Sequence, residues 1–166
     1  MNHRSNHNQP EDRAHWTTHL RDAAATDRLG GSLAQCLAPG MRIYLHGELG
    51  TGKTTLIRGL LHRLGVRGGV KSPSYTLVEL YVVSRLYLYH FDFYRFLSPN
   101  EFEAAGLADY FHGDGVCLVE WPEKAAGALP SPDLELWFTY ASSGRDIEID
   151  AITGTGERCL TELRNA

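Results

Sequence analysis

A glycine-rich segment between two hydrophobic patterns constrains this chain most. Residues 47–55 read GELGTGKTT, follow the apolar run at residues 43–45 and lead into apolar residues at helical spacing. A strand therefore delivers a glycine loop to a helix N-terminus, and the spacing fits G-x-x-x-x-G-K-[ST]. Glycines let backbone N–H groups converge on phosphate oxygens, and the helix adds the positive end of its dipole. The pattern predicts a nucleotide-binding site.

The positions of this loop have separate expected roles. Lys53 is placed to neutralise the β- and γ-phosphates, and the Thr54 hydroxyl is placed to ligate a magnesium ion that bridges them. A glycine turn that only caps a helix would not need the whole motif in its strand–loop–helix setting. The predicted nucleotide-binding residues are Glu48, Leu49, Gly50, Thr51, Gly52, Lys53, Thr54 and Thr55.

Composition places this motif in an ordinary globular chain. With 166 residues, 43% of them hydrophobic and 22% charged, the chain can form one domain with its own core. Cys36, Cys117 and Cys159 lack C-x-x-C spacing, so we expect reduced thiols in packing positions and a cytoplasmic setting. No apolar stretch reaches the roughly 18 residues of a membrane span, so we expect no membrane partner.

Charge is unevenly distributed along the chain. The net charge is −4, yet residues 53–95 carry seven Lys or Arg residues against two acids. This basic segment can balance the charge of a nucleotide, which is the simpler interpretation, or dock an acidic partner or nucleic acid. No RNA-binding signature accompanies it.

Hydrophobic periodicity predicts an alternation of helices and strands after a polar tail. The first expected helix covers residues 26–37, with Thr26 or Asp27 as the cap. Further helices are expected after the glycine loop up to Gly65, from an opening near residues 98–101, and over residues 157–163. Expected strands are residues 77–82 and 86–91 as a hairpin, 116–119 as a buried strand, and 134–140 and 146–152 as half-exposed antiparallel strands. We therefore predict a disordered tail at residues 1–14 and, at 15–166, a single-domain α/β fold: a P-loop NTPase-like three-layer sandwich with a mixed central sheet.

Two acidic residues follow strand-like runs and are candidates for metal chemistry. Glu120 ends the buried run at residues 116–119, where a Walker-B carboxylate would meet magnesium or polarise the attacking water. Many buried strands also end in glutamate at the solvent boundary. Asp92 lies among aromatic residues and needs a partner, which is either magnesium-bound water or an arginine. Capping of a turn or pairing with Arg95 is equally compatible with the spacing.

The remaining candidates lie in loops. Ser74 and Thr76 occupy the position of a switch-like loop whose hydroxyls sense the γ-phosphate and magnesium, although ordinary turn capping explains them equally well. Trp121 follows Glu120 at the expected mouth of the site, where it contacts nucleotide or partner, or packs in the core. His46 and His90 receive no role beyond packing.

Four segments together resemble the TsaE (YjeE) family of bacterial P-loop ATPases. They are residues 47–55 (GELGTGKTT), 71–79 (KSPSYTLVE), 90–95 (HFDFYR) and 119–124 (VEWPEK), in matching order and spacing. The resemblance implies an ATPase needed to form N6-threonylcarbamoyladenosine in tRNA, with ATP as substrate and Mg²⁺ as cofactor. It also implies TsaD and TsaB, the transferase assembly, as partners, with tRNA reached only through that complex.

The resemblance assigns roles by motif position. Glu120, Asp92 and Lys53 become catalytic residues, Thr54 and Glu120 metal ligands, and Trp121 part of the family's signature. Ser74 stands where threonine is common and Glu48 where aspartate is common, and neither change removes the chemistry that binding needs.

Two other functions fit the phosphate loop. One is a small-molecule kinase, which would need a lid with arginines, and the other is a nucleotide-sensing assembly factor without useful turnover. Hydrolysis is expected to be slow for the isolated protein because no motif positions a catalytic arginine, although Arg95 or a partner could supply one.

Overall fold

The structure, a computed structural model, describes residues 14–166, so the predicted tail lies outside the described residues except for Ala14. Two short 3-10 turns, Ala108–Phe111 and Pro122–Ala125, flank the fifth strand. The regular elements are β1 (His15–Leu20), α1 (Ala23–Ala34), β2 (Arg42–His46), α2 (Lys53–Arg63), β3 (Val78–Val83), β4 (Leu86–Asp92), α3 (Asn100–Ala104), β5 (Val116–Glu120), β6 (Leu134–Tyr140), β7 (Arg145–Ala151) and α4 (Gly154–Arg164).

The strands form one mixed sheet in the order β1-β7-β6-β2-β5-β4-β3. The four inner strands β6, β2, β5 and β4 are parallel. The outer pairs β1–β7, β6–β7 and β3–β4 are antiparallel. Parallel neighbours bring their carboxyl ends to one edge, so the loops after β2, β5 and β4 meet there. The predicted mixed sheet is confirmed.

Helical layers cover both faces of the sheet. Strand side chains alternate between the faces, so Ile43 and Leu45 join the core under α1, α2 and α4, while Tyr44 joins an aromatic core under α3 and the two 3-10 turns. The predicted three-layer α/β sandwich is therefore confirmed. Within residues 14–166 no helix has the length and hydropathy needed to cross a membrane.

A close helix crossing fixes the position of α2 against α1. A Cβ atom at Gly30 would collide with the carbonyl oxygen of Leu56, and one at Gly59 would collide with the carbonyl oxygen of Asp27. Each helix thus presents a glycine to the backbone of the other, and larger residues would force the axes apart. Because α2 begins at the end of the glycine loop, this crossing also sets where that loop lies.

The first helix begins and ends earlier than predicted. Asp22 is its N-cap, since its side chain accepts a 2.8 Å hydrogen bond from the backbone N–H of Ala25. Thr26 and Asp27, the two residues predicted as possible caps, lie inside the helix, and Thr26 is fully buried. The strand β1 was not predicted, because residues 15–20 are largely polar and acquire their conformation by pairing with β7.

The expectation of three reduced cysteines is wrong for two of them. A disulfide joins Cys36, just after α1, to Cys159 in α4. The two residues are 123 positions apart, and only the packing of both helices on one face of the sheet brings them together. Cys117 remains a free, buried thiol, as predicted.

Candidate nucleotide site at the carboxyl edge of the sheet

The glycine loop connects β2 to α2 as the sequence predicts. Gly52 caps α2 with a φ of 110°, a left-handed conformation that favours glycine, and a Cβ there would collide with the guanidinium of Arg145. A Cβ at Gly47 would lie 2.8 Å from the carbonyl oxygen of Phe138. The glycines are therefore required both by the shape of the loop and by the neighbours packed against it.

The β6–β7 hairpin (residues 134–151) supports the loop from outside the motif. Arg145 donates from Nη1 to the carbonyl of Thr51 at 3.1 Å, and the Tyr140 hydroxyl donates to the carbonyl of Leu49 at 2.6 Å. Neither residue was predicted from the sequence, because they lie 94 and 91 positions from their partners and belong to no motif.

A cleft of about 180 Å³ opens above the loop. It brings together most of the predicted nucleotide-binding and catalytic residues. Glu48 does not line it, and neither does the buried Thr51, whose hydroxyl donates to the carbonyl of Glu48 at 2.7 Å and so holds the loop in shape. The lining residues are Leu49, Gly50, Gly52, Lys53, Thr54, Thr55, Ser72, Asp92, Glu120 and Trp121.

Among residues 14–166, Lys53 is the only basic residue that lines the cleft. Its ammonium donates to the carbonyl of Gly47 and, at 3.0 Å, to that of Glu48, and it lies 4.2 Å from the centre of the Trp121 ring. Burial lowers the pKa of Lys53, and the carboxylates of Glu120 and other nearby acids partly oppose that effect. The cation is thus poised on the loop, beside the space where phosphate oxygens would enter.

Glu120 lies at the centre of a hydrogen-bond network. Its carboxylate accepts bonds from Thr54 at 3.0 Å to each oxygen, from Ser72 at 2.9 Å and from His90 at 2.7 Å. Burial would raise the pKa of Glu120, but the hydrogen bonds from His90, Ser72 and Thr54 outweigh it and leave the pKa below its ordinary value. Glu120 is therefore ionised although only 3% of it is exposed.

Asp92 enters the same network through Ser72. The Ser72 hydroxyl donates to Asp92 as well as to Glu120, and the other oxygen of Asp92 accepts the backbone N–H of Tyr94 at 2.8 Å. Asp92 thus both caps a turn and faces the cleft. Arg95 does not pair with it, because its guanidinium stacks on Tyr75 at 3.9 Å. Ser72 lies in the KSPSYTLVE segment, but only the fold reveals its partners.

Ser74 and Thr76 lie outside the cleft. They line a neighbouring cavity of about 330 Å³ together with Lys71 and Tyr81, and that cavity shares Ser72 with the cleft. Their role as a switch-like loop stays a prediction.

Trp121 lies at the mouth of the cleft, as the sequence indicates. Its ring packs 5.0 Å from that of Tyr94, and its backbone is left-handed with a φ of 59°. Such a conformation is strained for a residue with a side chain and recurs at functional sites.

A histidine lies where β2 runs into the loop. His46 stacks on Trp137 with 3.8 Å between ring centres, and its nitrogens lie 3.0 Å from Glu135 and 3.4 Å from Glu123. Burial would lower the pKa of His46, but the two carboxylates outweigh it and raise the pKa above its ordinary value.

The cleft presents oxygen donors that suit a hard cation. Thr54 and Ser72 offer hydroxyls, and Asp92 and Glu120 offer carboxylates. Magnesium prefers such donors and completes its shell with water and phosphate oxygens. Residues 14–166 contain no cluster of three or more His, Cys, Asp or Glu side chains that could hold a metal ion. The four cleft residues fit Mg²⁺ that arrives with a nucleotide.

Known proteins resemble this chain over most of its length. The family model "Threonylcarbamoyl adenosine biosynthesis protein TsaE" matches residues 20–147. The tRNA threonylcarbamoyladenosine biosynthesis protein TsaE of Haemophilus influenzae is 41% identical over 154 residues, which cover 90% of this chain and 98% of the relative. Its namesake of Bacillus subtilis is 36% identical over 148 residues, or 89% and 90%. The crystal structure of Bacillus subtilis YdiB superposes with a TM-score of 0.80 at 31% identity, covering 93% of this chain and 97% of that one.

Proposed function

Because the chain belongs to the TsaE family, we propose that it binds ATP with Mg²⁺ in the cleft, hydrolyses it, and thereby serves the formation of threonylcarbamoyladenosine in tRNA. The cytoplasm is the proposed setting, since tRNA modification takes place there. In this proposal the protein acts on the TsaB–TsaD transferase assembly and meets tRNA only through it.

The contact between Thr54 and Glu120 carries the proposal. Thr54 ends the phosphate loop and Glu120 ends β5, yet the hydroxyl donates to both carboxylate oxygens at 3.0 Å. The fold thus joins the phosphate-binding element to a buried, ionised carboxylate at the sheet edge. Hydrolysis of a bound nucleotide needs these two elements together.

Each group in the cleft has a proposed task. The amides of the glycine loop and Lys53 bind the β- and γ-phosphates, while Thr54 and Glu120 hold the metal ion and Asp92 orients its water shell. When bound, Mg²⁺ neutralises charge that develops on the phosphate oxygens. Glu120 is also close enough to the cleft to orient the attacking water.

The positions of the arginines within residues 14–166 support the expectation that the isolated protein hydrolyses ATP slowly. No arginine lines the cleft in this part of the chain, since Arg95 stacks on Tyr75 and Arg145 lies behind the loop against Thr51. P-loop hydrolases gain about 10³–10⁵ in kcat from an arginine at the transferring phosphate. We therefore expect TsaB and TsaD to stimulate turnover by completing the site.

The test is phosphate release from ATP by the purified protein, with and without TsaB and TsaD. Glu120→Gln should lower kcat by about 10²–10⁴-fold, because it removes the carboxylate charge, while ATP still binds. Glu123→Gln is the matched control, since Glu123 follows in the same segment but does not line the cleft.

Three outcomes would contradict parts of the proposal. Tight ATP binding without turnover in any combination would favour a nucleotide-sensing assembly factor. Transfer of phosphate to an added small-molecule acceptor would favour a kinase. If TsaB and TsaD leave the rate of phosphate release unchanged, the proposed stimulation by these partners is wrong.

A further inference from the structure

His90 is a fully buried histidine directly beneath the carboxylates of the cleft. In the parallel register of β4 and β5, Asp92 lies opposite Glu120 and His90 opposite Leu118. Residues two apart on a strand project to the same face, so His90 lies on the face that α2 covers, one step further from the sheet edge than Asp92.

The hydrogen bond from His90 divides the two oxygens of Glu120 into different roles. Oε2 receives three donors: His90 Nε2 at 2.7 Å, Ser72 at 2.9 Å and Thr54 at 3.0 Å. Within residues 14–166, Oε1 is reached only by Thr54 at 3.0 Å, and the two oxygens share the single hydroxyl hydrogen of Thr54. Because each carboxylate oxygen has about two lone-pair sites, Oε1 is the one with capacity left for a further partner.

The other ring nitrogen of His90 identifies its tautomer. Nδ1 is buried and has no hydrogen-bond partner in the part of the chain that the structure describes. The carboxylate of Glu120 accepts in this contact, so Nε2 carries the hydrogen, whereas a hydrogen on Nδ1 would be a buried donor without a partner among the described residues. The neutral ring with its hydrogen on Nε2 is therefore the form that donates to Glu120.

Packing alone does not explain a histidine at this position. Leu88 precedes it on the same face of β4, and Leu118 lies opposite it; both are fully buried. An apolar side chain would fill the same space and leave no orphaned nitrogen. What the histidine adds, and a leucine would not, is the Nε2 donor to Glu120.

We propose that His90 is a positioning residue that holds Oε2 of Glu120 inward and thereby leaves Oε1 available to the cleft. The effect of His90 on the rate of ATP turnover rests on the proposed ATPase function. The orientation of the carboxylate does not depend on turnover and can be measured separately.

The kinetic test compares three substitutions of His90. The amide nitrogen of glutamine can reach the place of Nε2, whereas that of asparagine reaches only the place of Nδ1, and leucine has no donor. His90→Leu and His90→Asn should each lower kcat of phosphate release, in the presence of TsaB and TsaD, by about tenfold to a hundredfold with KM for ATP within about twofold. His90→Gln should recover most of the loss.

A double substitution separates positioning from a general structural role. In a Glu120→Gln background, His90→Leu should cause no further loss of kcat, because its effect passes through that carboxylate. Full kcat in a folded His90→Leu variant, or losses that multiply in the double variant, would overturn the proposal. Thermal unfolding followed by circular dichroism establishes that each variant is folded, and His90→Asn replaces His90→Leu in this comparison if His90→Leu is not folded.

Nuclear magnetic resonance of the ¹⁵N-histidine-labelled protein tests the orientation without turnover. A slowly exchanging Nε2–H resonance from His90 is expected, and it should shift or vanish in Glu120→Gln but not in Glu123→Gln. A histidine protonated on Nδ1 instead, or an insensitive Nε2–H, would overturn the proposal. If the unsubstituted protein releases no phosphate under any condition, the proposed function fails, and this resonance decides the role of His90 by itself.

Discussion

At the residue scale, His46 makes stability depend on pH. Its imidazole lies between Glu123 and Glu135, and the two carboxylates raise its pKa. Burial would raise the pKa of Glu123, but its hydrogen bonds and its attraction to His46 and Lys53 together outweigh burial and lower that pKa. A raised histidine pKa stabilises the fold fully below the ordinary value of about 6.5, and this contribution is lost as pH rises through the folded-state pKa.

We therefore expect His46→Gln to cost more at low pH than at high pH. The difference between its effects on the free energy of unfolding at about pH 5.5 and about pH 8.5 should be on the order of 1 kcal/mol. Urea denaturation at the two pH values measures it. His62→Gln is the control, because His62 contacts the carbonyl of Gly68 and no carboxylate of residues 14–166. Equal effects of His46→Gln at both pH values would show that the ion pairs contribute nothing.

At the scale of secondary-structure elements, the close α1–α2 crossing predicts how substitutions of its glycines change the stability of the protein. Gly30→Ala or Gly59→Ala should destabilise the protein by about 1–3 kcal/mol, because each methyl group meets the backbone of the other helix. Gly31→Ala is the matched control: its nearest neighbour is Arg63 Cβ at 3.8 Å, so it should be neutral or stabilising by up to about 1 kcal/mol. Thermal unfolding of the three variants checks this. Similar stability of Gly30→Ala and Gly31→Ala would contradict the tight crossing.

Elements that carry their own hydrophobic pattern were predictable, and those defined by distant pairing were not. The buried run of β5 and the apolar stripe of α2 could be predicted from the sequence. Each packs against apolar neighbours, and the hydrophobic pattern appears whichever residues those neighbours are. The edge strand β1 is polar and pairs across the chain, with His15 and His19 each 2.7 Å from an aspartate of β7. Those contacts join residues 135 and 127 positions apart, which no local pattern encodes.

At the scale of the whole molecule, the disulfide between Cys36 and Cys159 joins two residues 123 positions apart and so closes most of the described chain into one loop. Thiol titration of the unreduced, denatured protein should detect one thiol per chain, that of Cys117, and three after reduction. In the folded protein Cys117 should be unreactive, since burial raises its pKa to about 12. Reduction should lower the free energy of unfolding by about 4–5 kcal/mol on a chain-entropy account of so long a loop.

Cys36→Ser provides the control for that measurement. It should show two thiols without reduction, those of Cys117 and Cys159, and its stability should no longer respond to a reducing agent. Three thiols in the unreduced, unsubstituted protein would establish that the bond does not form in solution.

Most residues of the site could be predicted from the sequence, but only some of the hydrogen bonds between them could. Lys53, Thr54, Asp92, Glu120 and Trp121 were identified from motif position, and the fold places them around one cleft. The donors from Ser72 and His90 were not predicted, although both residues lie inside the motif segments. Hydrogen bonds depend on the register between strands and on loop geometry, and sequence spacing does not report either.

The support that the β6–β7 hairpin gives to the glycine loop has a consequence for how such proteins are recognised and rebuilt. All four motif segments end by residue 124, whereas Tyr140 and Arg145, which hold the loop carbonyls, lie beyond them. A scaffold that receives all four motifs but carries a different terminal hairpin would have the residues of the site without the contacts that hold the glycine loop in place. For this chain the engineering unit is the motif set together with the hairpin behind it.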